Sequence, residues 1–133
     1  MKPIVDAVAF ILHRYGRILV EKRKSTKETD PGRTAIPGGH VEDGESLEEA
    51  CARELNEELG LKCRDFRFIT KLLHQTDKED QMVHYYSCEG WRGEPSPMEA
   101  DEIAWVSLED IGMLDFEVDM KAVAEFTRMI TIG

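Results

Sequence analysis

The apolar positions along the chain repeat with two different periods. Val5, Ala7, Val8, Phe10, Ile11 and Leu12 make a nearly continuous run, which predicts a largely buried strand from Lys2 to Leu12. Tyr15-Gly16 reads as a turn, and Arg17 to Arg23 (R-I-L-V-E-K-R) as a second strand hairpinned with the first. Lys24 to Arg33 is polar, basic and broken by Pro31-Gly32, so it predicts a surface loop. A short strand is expected at Thr34-Ala35-Ile36, then a glycine-rich acidic loop from Gly38 to Gly44. The period then becomes helical. Ser46 with Glu49 three residues on is a capping-box pair, and Gly60 supplies a left-handed stop, so a helix is expected from Leu47 to Leu59.

Further strands are expected at Phe66 to Leu72 and Met82 to Cys88, with a polar turn from Thr76 to Asp80, and at Ile103 to Val106. Gly90 to Ser96 reads as a loop. Ser107 predicts a cap for a helical turn over Leu108 to Ile111. Asp119 predicts the cap of a closing helix, Met120 to Ile130, with Val123, Phe126, Met129 and Ile130 on one face.

Length and charge narrow the function. At 133 residues the chain is expected to form one domain over 1–133, with no linker or repeat. Acids outnumber bases 27 to 17, a formal net charge of −10. That excludes non-specific binding to duplex nucleic acid or an anionic membrane, since both need a basic face. No segment reads as a membrane span or a leader. The three cysteines, Cys51, Cys63 and Cys88, contain no C-x-x-C pair. Neither a zinc site nor a disulfide framework is expected, and a reducing cytoplasm fits best.

The acids are concentrated. Eight lie between Glu42 and Glu58. At about 100° per residue, Glu54, Glu57 and Glu58 project within one arc of the expected helix, beside Leu47, Cys51 and Leu55. Glu49 and Asn56 point the other way. An acidic helix face is ordinarily solvated, but this one shares the side that meets the protein body. Three like charges there repel, and burial worsens the conflict. A hard divalent cation, Mg²⁺ or Mn²⁺, relieves it. Arg53 is spaced to pair with Glu57 or to reach back to Glu45. Pro37-Gly38-Gly39 permits backbone torsions closed to other residues and can bring a carbonyl close to a metal. The spacing of a dinucleotide loop or a P-loop is absent.

Gly39, five residues, Glu45, seven residues, then Arg53-Glu54-Leu55-Asn56-Glu57-Glu58-Leu59-Gly60-Leu61 resembles the complete Nudix box, G-x5-E-x7-R-E-U-x-E-E-x-G-U, where U is a bulky aliphatic residue. All nine specified positions match. A chance match is on the order of one in a million for this composition. The stretch Glu89 to Leu108 is similar to the MutT-type branch. The resemblance implies an α/β fold, a Nudix-type α/β/α sandwich with a mixed central sheet. It implies hydrolysis of a nucleoside diphosphate linked to another group, by water attack on phosphorus with Mg²⁺ or Mn²⁺ bound. By position, Glu54, Glu57 and Glu58 would bind metal with the Gly38 carbonyl, and Glu45 and Arg53 would support them. A further glutamate of the MutT branch matches Glu99 best, with Glu102 the runner-up.

Glu54 is the first choice as the group that orients or deprotonates the water, with Glu57 and Glu99 as alternatives. Arg23, Lys22 and Gly39 are expected near substrate phosphate. Phe10, His74, His84, Tyr85 and Trp91 are the candidates for base contact. No S-Q-P-W-P-x-P-x-S array follows the box, which argues against an NADH-type enzyme. Thr76 stands where ADP-ribose enzymes carry proline, and the tyrosine of dinucleoside polyphosphate enzymes is missing near Lys78. A nucleoside triphosphate, oxidised or not, giving monophosphate and pyrophosphate is therefore the leading expectation. An ADP-ribose or nucleotide-sugar enzyme is second, and a non-catalytic nucleotide sensor third. Family members are often dimers, so the resemblance allows a homodimer.

Overall fold

The computed structural model describes residues 2–132. Its strands are β1 (Ile4–Ile11), β2 (His13–Arg14), β3 (Arg17–Lys22), β4 (Thr34–Ala35), β5 (Gly38–His40), β6 (Asp65–Gln75), β7 (Asp80–Glu89) and β8 (Glu102–Ser107). The helices are α1 (Leu47–Leu59) and α2 (Glu117–Ile132), and a 3-10 segment covers Leu108–Met113. The first sheet runs β5-β1-β7-β6. It is mixed, because β1 is antiparallel to β5 but parallel to β7, and β6 is antiparallel to β7. The second sheet is built on β3, which pairs antiparallel with β2, β4 and β8.

The continuous apolar run of β1 has a direct cause. Its alternate residues enter two different cores. Ala7, Ala9 and Ile11 pack with Val83, Tyr85, Val123 and Phe126 on the α2 side. Val8 and Phe10, with Leu12 just beyond the strand, pack with Cys51, Leu55 and Leu59 on the α1 side. The result is the expected α/β sandwich with a mixed sheet between helices.

Helix α1 has the expected bounds, because its signals are local. Ser46 accepts from the Glu49 N–H while the Glu49 carboxylate accepts from the Ser46 N–H. Gly60 closes the helix at φ 71°. The carbonyls left over in the last turn accept from a later segment, Leu59 from the Ser96 N–H at 3.0 Å and Glu58 from the Met98 N–H at 3.1 Å. A stacked pair, Trp91 on Trp105, anchors the start of that segment, with the Arg14 guanidinium 4.4 Å from the Trp105 ring centre. Arg14 also donates to Glu94 at 3.0 Å. The segment from Trp91 to Glu99 is thus held at both ends.

Four expectations are corrected. The second strand does not hairpin with β1. Both edges of β1 are already occupied by β5 and β7, so the Tyr15-Gly16 turn pairs β3 with the short β2 instead. Gly38–His40 is a strand and not a loop, in register with Ala7 to Ala9. Helix α2 begins at Glu117, so Asp119 lies inside its first turn, with a buried carboxylate. That carboxylate accepts from the Tyr85 hydroxyl at 2.5 Å and the Ile36 N–H at 3.0 Å instead of capping the helix. Ile130 is 39% exposed and does not join the α2-side core.

The glycines of β5 serve proximity, since neither adopts the left-handed conformation. A Cβ on Gly38 would lie 2.1 Å from the Val8 carbonyl oxygen and 2.8 Å from the Ala9 Cα. Those are backbone atoms of a central strand and cannot rotate away. Gly38→Ala is therefore expected to cost about 3 kcal/mol, at the upper end of overpacking penalties. Urea unfolding should show a lower midpoint with an unchanged slope. A midpoint equal to the wild type would show that β1 yields.

Candidate active site

A cavity of about 560 Å³ opens between β5, α1, the 24–33 loop and the start of α2. That volume suits a small-molecule ligand. One wall is anionic, formed by Glu54, Glu57, Glu58 and Glu99. Ile36, Val83, Tyr85, Phe116, Val118 and Asp119 also line the cavity.

The α1 acids differ in environment. Glu54 and Glu58 are 8% and 5% exposed, whereas the Glu57 side chain is 46% exposed. Burial raises the Glu54 carboxyl above its usual range, against the pull of Arg53. Burial raises Glu58 further, to about 8, reinforced by the charges of Glu21, Glu99 and Glu54. Arg53 is the hub of the group and not a surface ion pair. Its Nε and Nη2 grip both Glu45 oxygens at 2.7 and 2.9 Å. Its Nη1 donates to Glu54 at 2.7 Å and Glu57 at 3.2 Å, and Nη2 also reaches the His40 carbonyl at 2.9 Å. These bonds hold Glu45 down at about 2.

Gly39 lies flat against Glu54. A Cβ there would lie 2.1 Å from Glu54 Oε2 and 2.2 Å from its Cδ. The absence of a side chain at position 39 is what lets Glu54 occupy the wall.

Most of the expected residues converge, and some do not. Glu54, Glu57, Glu58, Arg53, Gly38, Gly39 and Glu99 all line the cavity. Glu45 does not line it, and reaches it only through Arg53. Glu102 and Lys22 are exposed residues that face each other across β3 and β8, and neither lines the cavity. Arg23 does line it, but its guanidinium is occupied with the Thr29 and Asp30 carbonyls and the Thr29 hydroxyl, bracing the 24–33 loop. Tyr85 is buried in the back wall with its hydroxyl given to Asp119. Of the other aromatic candidates His74 lines the cavity, bonded to Asp30 at 2.8 Å and packed on Phe116. Phe10 and Trp91 belong to the α1-side packing, and His84 pairs with Asp6.

Lys27, Phe116, Val118 and Glu21 were not singled out by sequence. Lys27 lies 3.6 Å from Glu99 across the cavity mouth. Its position in a basic loop carried no signal of direction.

A family model, the NUDIX domain, matches residues 2–126. The chain belongs to the NUDIX family. It is 30% identical over 116 residues to the 8-oxo-dGTP diphosphatase of Escherichia coli, covering 87% of this chain and 89% of that one. It is 28% identical over 109 residues to the CTP pyrophosphohydrolase of the same organism, covering 80% and 78%. The MutT protein of Methanosarcina mazei superposes with a TM-score of 0.86 at 25% identity, covering 96% of both chains. This Nudix chain is thus a hydrolase of nucleoside diphosphate derivatives.

Nudix hydrolases generally use a divalent cation, and the donor set here fits one. It consists of hard carboxylate oxygens, two of them on residues whose proton affinity is raised chiefly by burial and further by neighbouring acids. Glu21, which does not itself line the cavity, has a buried oxygen, Oε2, with no hydrogen-bond partner among the described residues. No three acids among the described residues converge tightly enough to enclose an ion unaided. A Mg²⁺ or Mn²⁺ ion here would complete its shell with water and substrate phosphate.

The buried acids set a pH dependence. Glu21 is raised to about 7 and Glu58 to about 8, from 4.5. The folded chain therefore holds protons that the unfolded chain has released, and stability falls as pH rises through that window. Melts in chelator should give a lower Tm at pH 9 than at pH 6. A Tm that rises over this range would show that both groups are ionised and compensated without metal.

Proposed function

We propose that this protein hydrolyses a nucleoside triphosphate, oxidised or not, to monophosphate and pyrophosphate, with Mg²⁺ or Mn²⁺ as cofactor. The observation that carries the reading is that Glu54, Glu57 and Glu58 all line the cavity, with Arg53 tying the first two to Glu45. The names of the Escherichia coli relatives support a nucleotide carrying a pyrophosphate leaving group.

Glu57, Glu58 and Glu99 would hold the cation, with the Gly38 carbonyl as a further donor. The cation would supply charge neutralisation along the polyphosphate and a more acidic attacking water. Glu54 is the group we assign to orient that water and take its proton. Its raised proton affinity suits a base better than an ordinary solvated carboxylate would. Arg53 fixes the Glu54 rotamer, and Glu45 fixes Arg53, so a proton acceptor is held still without being neutralised by a bound proton. Lys27 faces the same space from the loop and takes the phosphate-binding role expected of Arg23 and Lys22. Among the residues that line the cavity, Ile36, Val83, Phe116 and Val118 offer an apolar seat for a base.

A panel of 8-oxo-dGTP, dGTP, CTP, ADP-ribose and a nucleotide sugar with Mg²⁺ tests this. Pyrophosphate released from a triphosphate, with no orthophosphate, is the expected result. AMP from ADP-ribose as the main product would move the substrate to the second class. Nucleotide binding with no turnover at micromolar enzyme would make the protein a sensor.

A further inference from the structure

We propose that Glu21 is a further carboxylate donor to the divalent cation held by the α1 acids, contributed by the sheet and outside the Nudix box. The proposal rests on the metal-dependent reading above. It begins with the parity of β3. Ile18 and Val20 enter the α2-side core, whereas Leu19 enters the α1-side core. Glu21 follows Leu19 by two residues and so projects on the same face, toward α1. Its backbone is fixed on both sides, opposite Ala35 of β4 and Ile103 of β8. The carboxyl therefore arrives from rigid sheet and not from a loop.

The side chain is only 2% exposed. Its Oε2 is fully buried and has no hydrogen-bond partner among the described residues. A buried carboxylate left in this state is costly, and a native protein that keeps one normally supplies a partner. Arg23, two residues along, is spent on the Thr29 and Asp30 carbonyls. Lys27 lies with Glu99. Both cations still favour the ionised form of Glu21 from a distance, and the remaining charges that act on it, Glu99 and Asp119, are acids. Glu21 is the strongest charge acting on Glu58, and Glu99 also acts on Glu21. A cation entering between Glu58 and Glu99 would satisfy the free oxygen and remove the repulsion together. A carboxylate with no such task would be expected to surrender its position to an apolar residue, as its neighbours Val20 and Leu19 illustrate.

The test reads metal binding directly. Mn²⁺ is titrated into chelator-stripped protein without nucleotide, and free Mn²⁺ is followed by electron paramagnetic resonance. Glu21→Gln keeps the shape and loses the charge. It is expected to bind Mn²⁺ about tenfold weaker or worse. Its metal-free Tm should equal or exceed that of the wild type, which separates lost affinity from lost fold. Glu21→Asp keeps the charge but withdraws the oxygens by one methylene from a strand that cannot follow. It is expected to lose affinity as well. Wild-type Mn²⁺ affinity in either variant would overturn the proposal, the first by showing that the charge is dispensable and the second by showing a merely distant charge. If the wild type itself binds no Mn²⁺, the metal-dependent reading falls with it, whereas equal binding by all three proteins removes Glu21 alone.

Discussion

Glu58→Gln is expected to lower kcat by about a thousandfold, the scale of removing one electrostatic stabiliser from a water-excluded site. The same change should raise the Tm of the metal-free protein at pH 9. Both effects have one source. The Glu58 carboxyl is 5% exposed and stands among Glu21, Glu54 and Glu99, so its charge is unfavourable until a cation arrives. Removing that charge relieves the empty fold and removes a donor from the working site. Glu57→Gln should fall in the same range of activity without the gain in stability, because its side chain is nearly half in water. Steady-state kinetics at limiting Mg²⁺, paired with melts in chelator, reads both. Near-normal turnover in both variants would refute the assignment of these residues to the metal.

Gly39→Ala is expected to lower kcat by about a hundredfold while leaving the fold nearly as stable as before. The three atoms nearest to a Cβ at this position all belong to the Glu54 carboxylate, the closest at 2.1 Å. The end of that side chain can swing aside, unlike the backbone that confronts a Cβ on Gly38. Glu54 then leaves the place where Arg53 holds it. A misplacement of about 1 Å in a reacting group costs on the order of a hundredfold. The contrast is the test. Gly38→Ala should lower the unfolding midpoint, and Gly39→Ala should lower turnover at an almost unchanged midpoint. Unchanged kcat in Gly39→Ala would mean that Glu54 is not the group that handles the water.

Legibility in the sequence followed the range of the interactions. Helix α1 was readable to the residue because Ser46, Glu49 and Gly60 act within one turn of its ends. The carboxylate face was readable because Glu54, Glu57 and Glu58 are fixed by helical spacing alone. The neighbours of β1 were not, since β7 lies far along the chain and its pairing leaves no local mark. Asp119 looked like a cap because aspartate before an apolar helix usually is one. Its partners, Tyr85 and Ile36, are known only once the sheet is assembled. Glu21 was passed over for a similar reason. At the end of R-I-L-V-E-K it reads as the point where a strand meets water, until β4 and β8 close over both sides. Arg23 was read as free because its partners, Thr29 and Asp30, lie in a loop whose course the sequence does not specify.

The chain contains two tryptophans, and both stand in the stack beneath Arg14. The protein therefore carries a single tryptophan reporter, and neither ring lines the cavity. The reporter sits at the root of the arm that runs past Leu59 and Glu58 and delivers Glu99 to the anionic wall. Tryptophan emission is expected to follow the seating of that arm and not the identity of the base. Titrating Mg²⁺ and then nucleotide against the unlabelled protein separates the two events, with no substitution in the site at all.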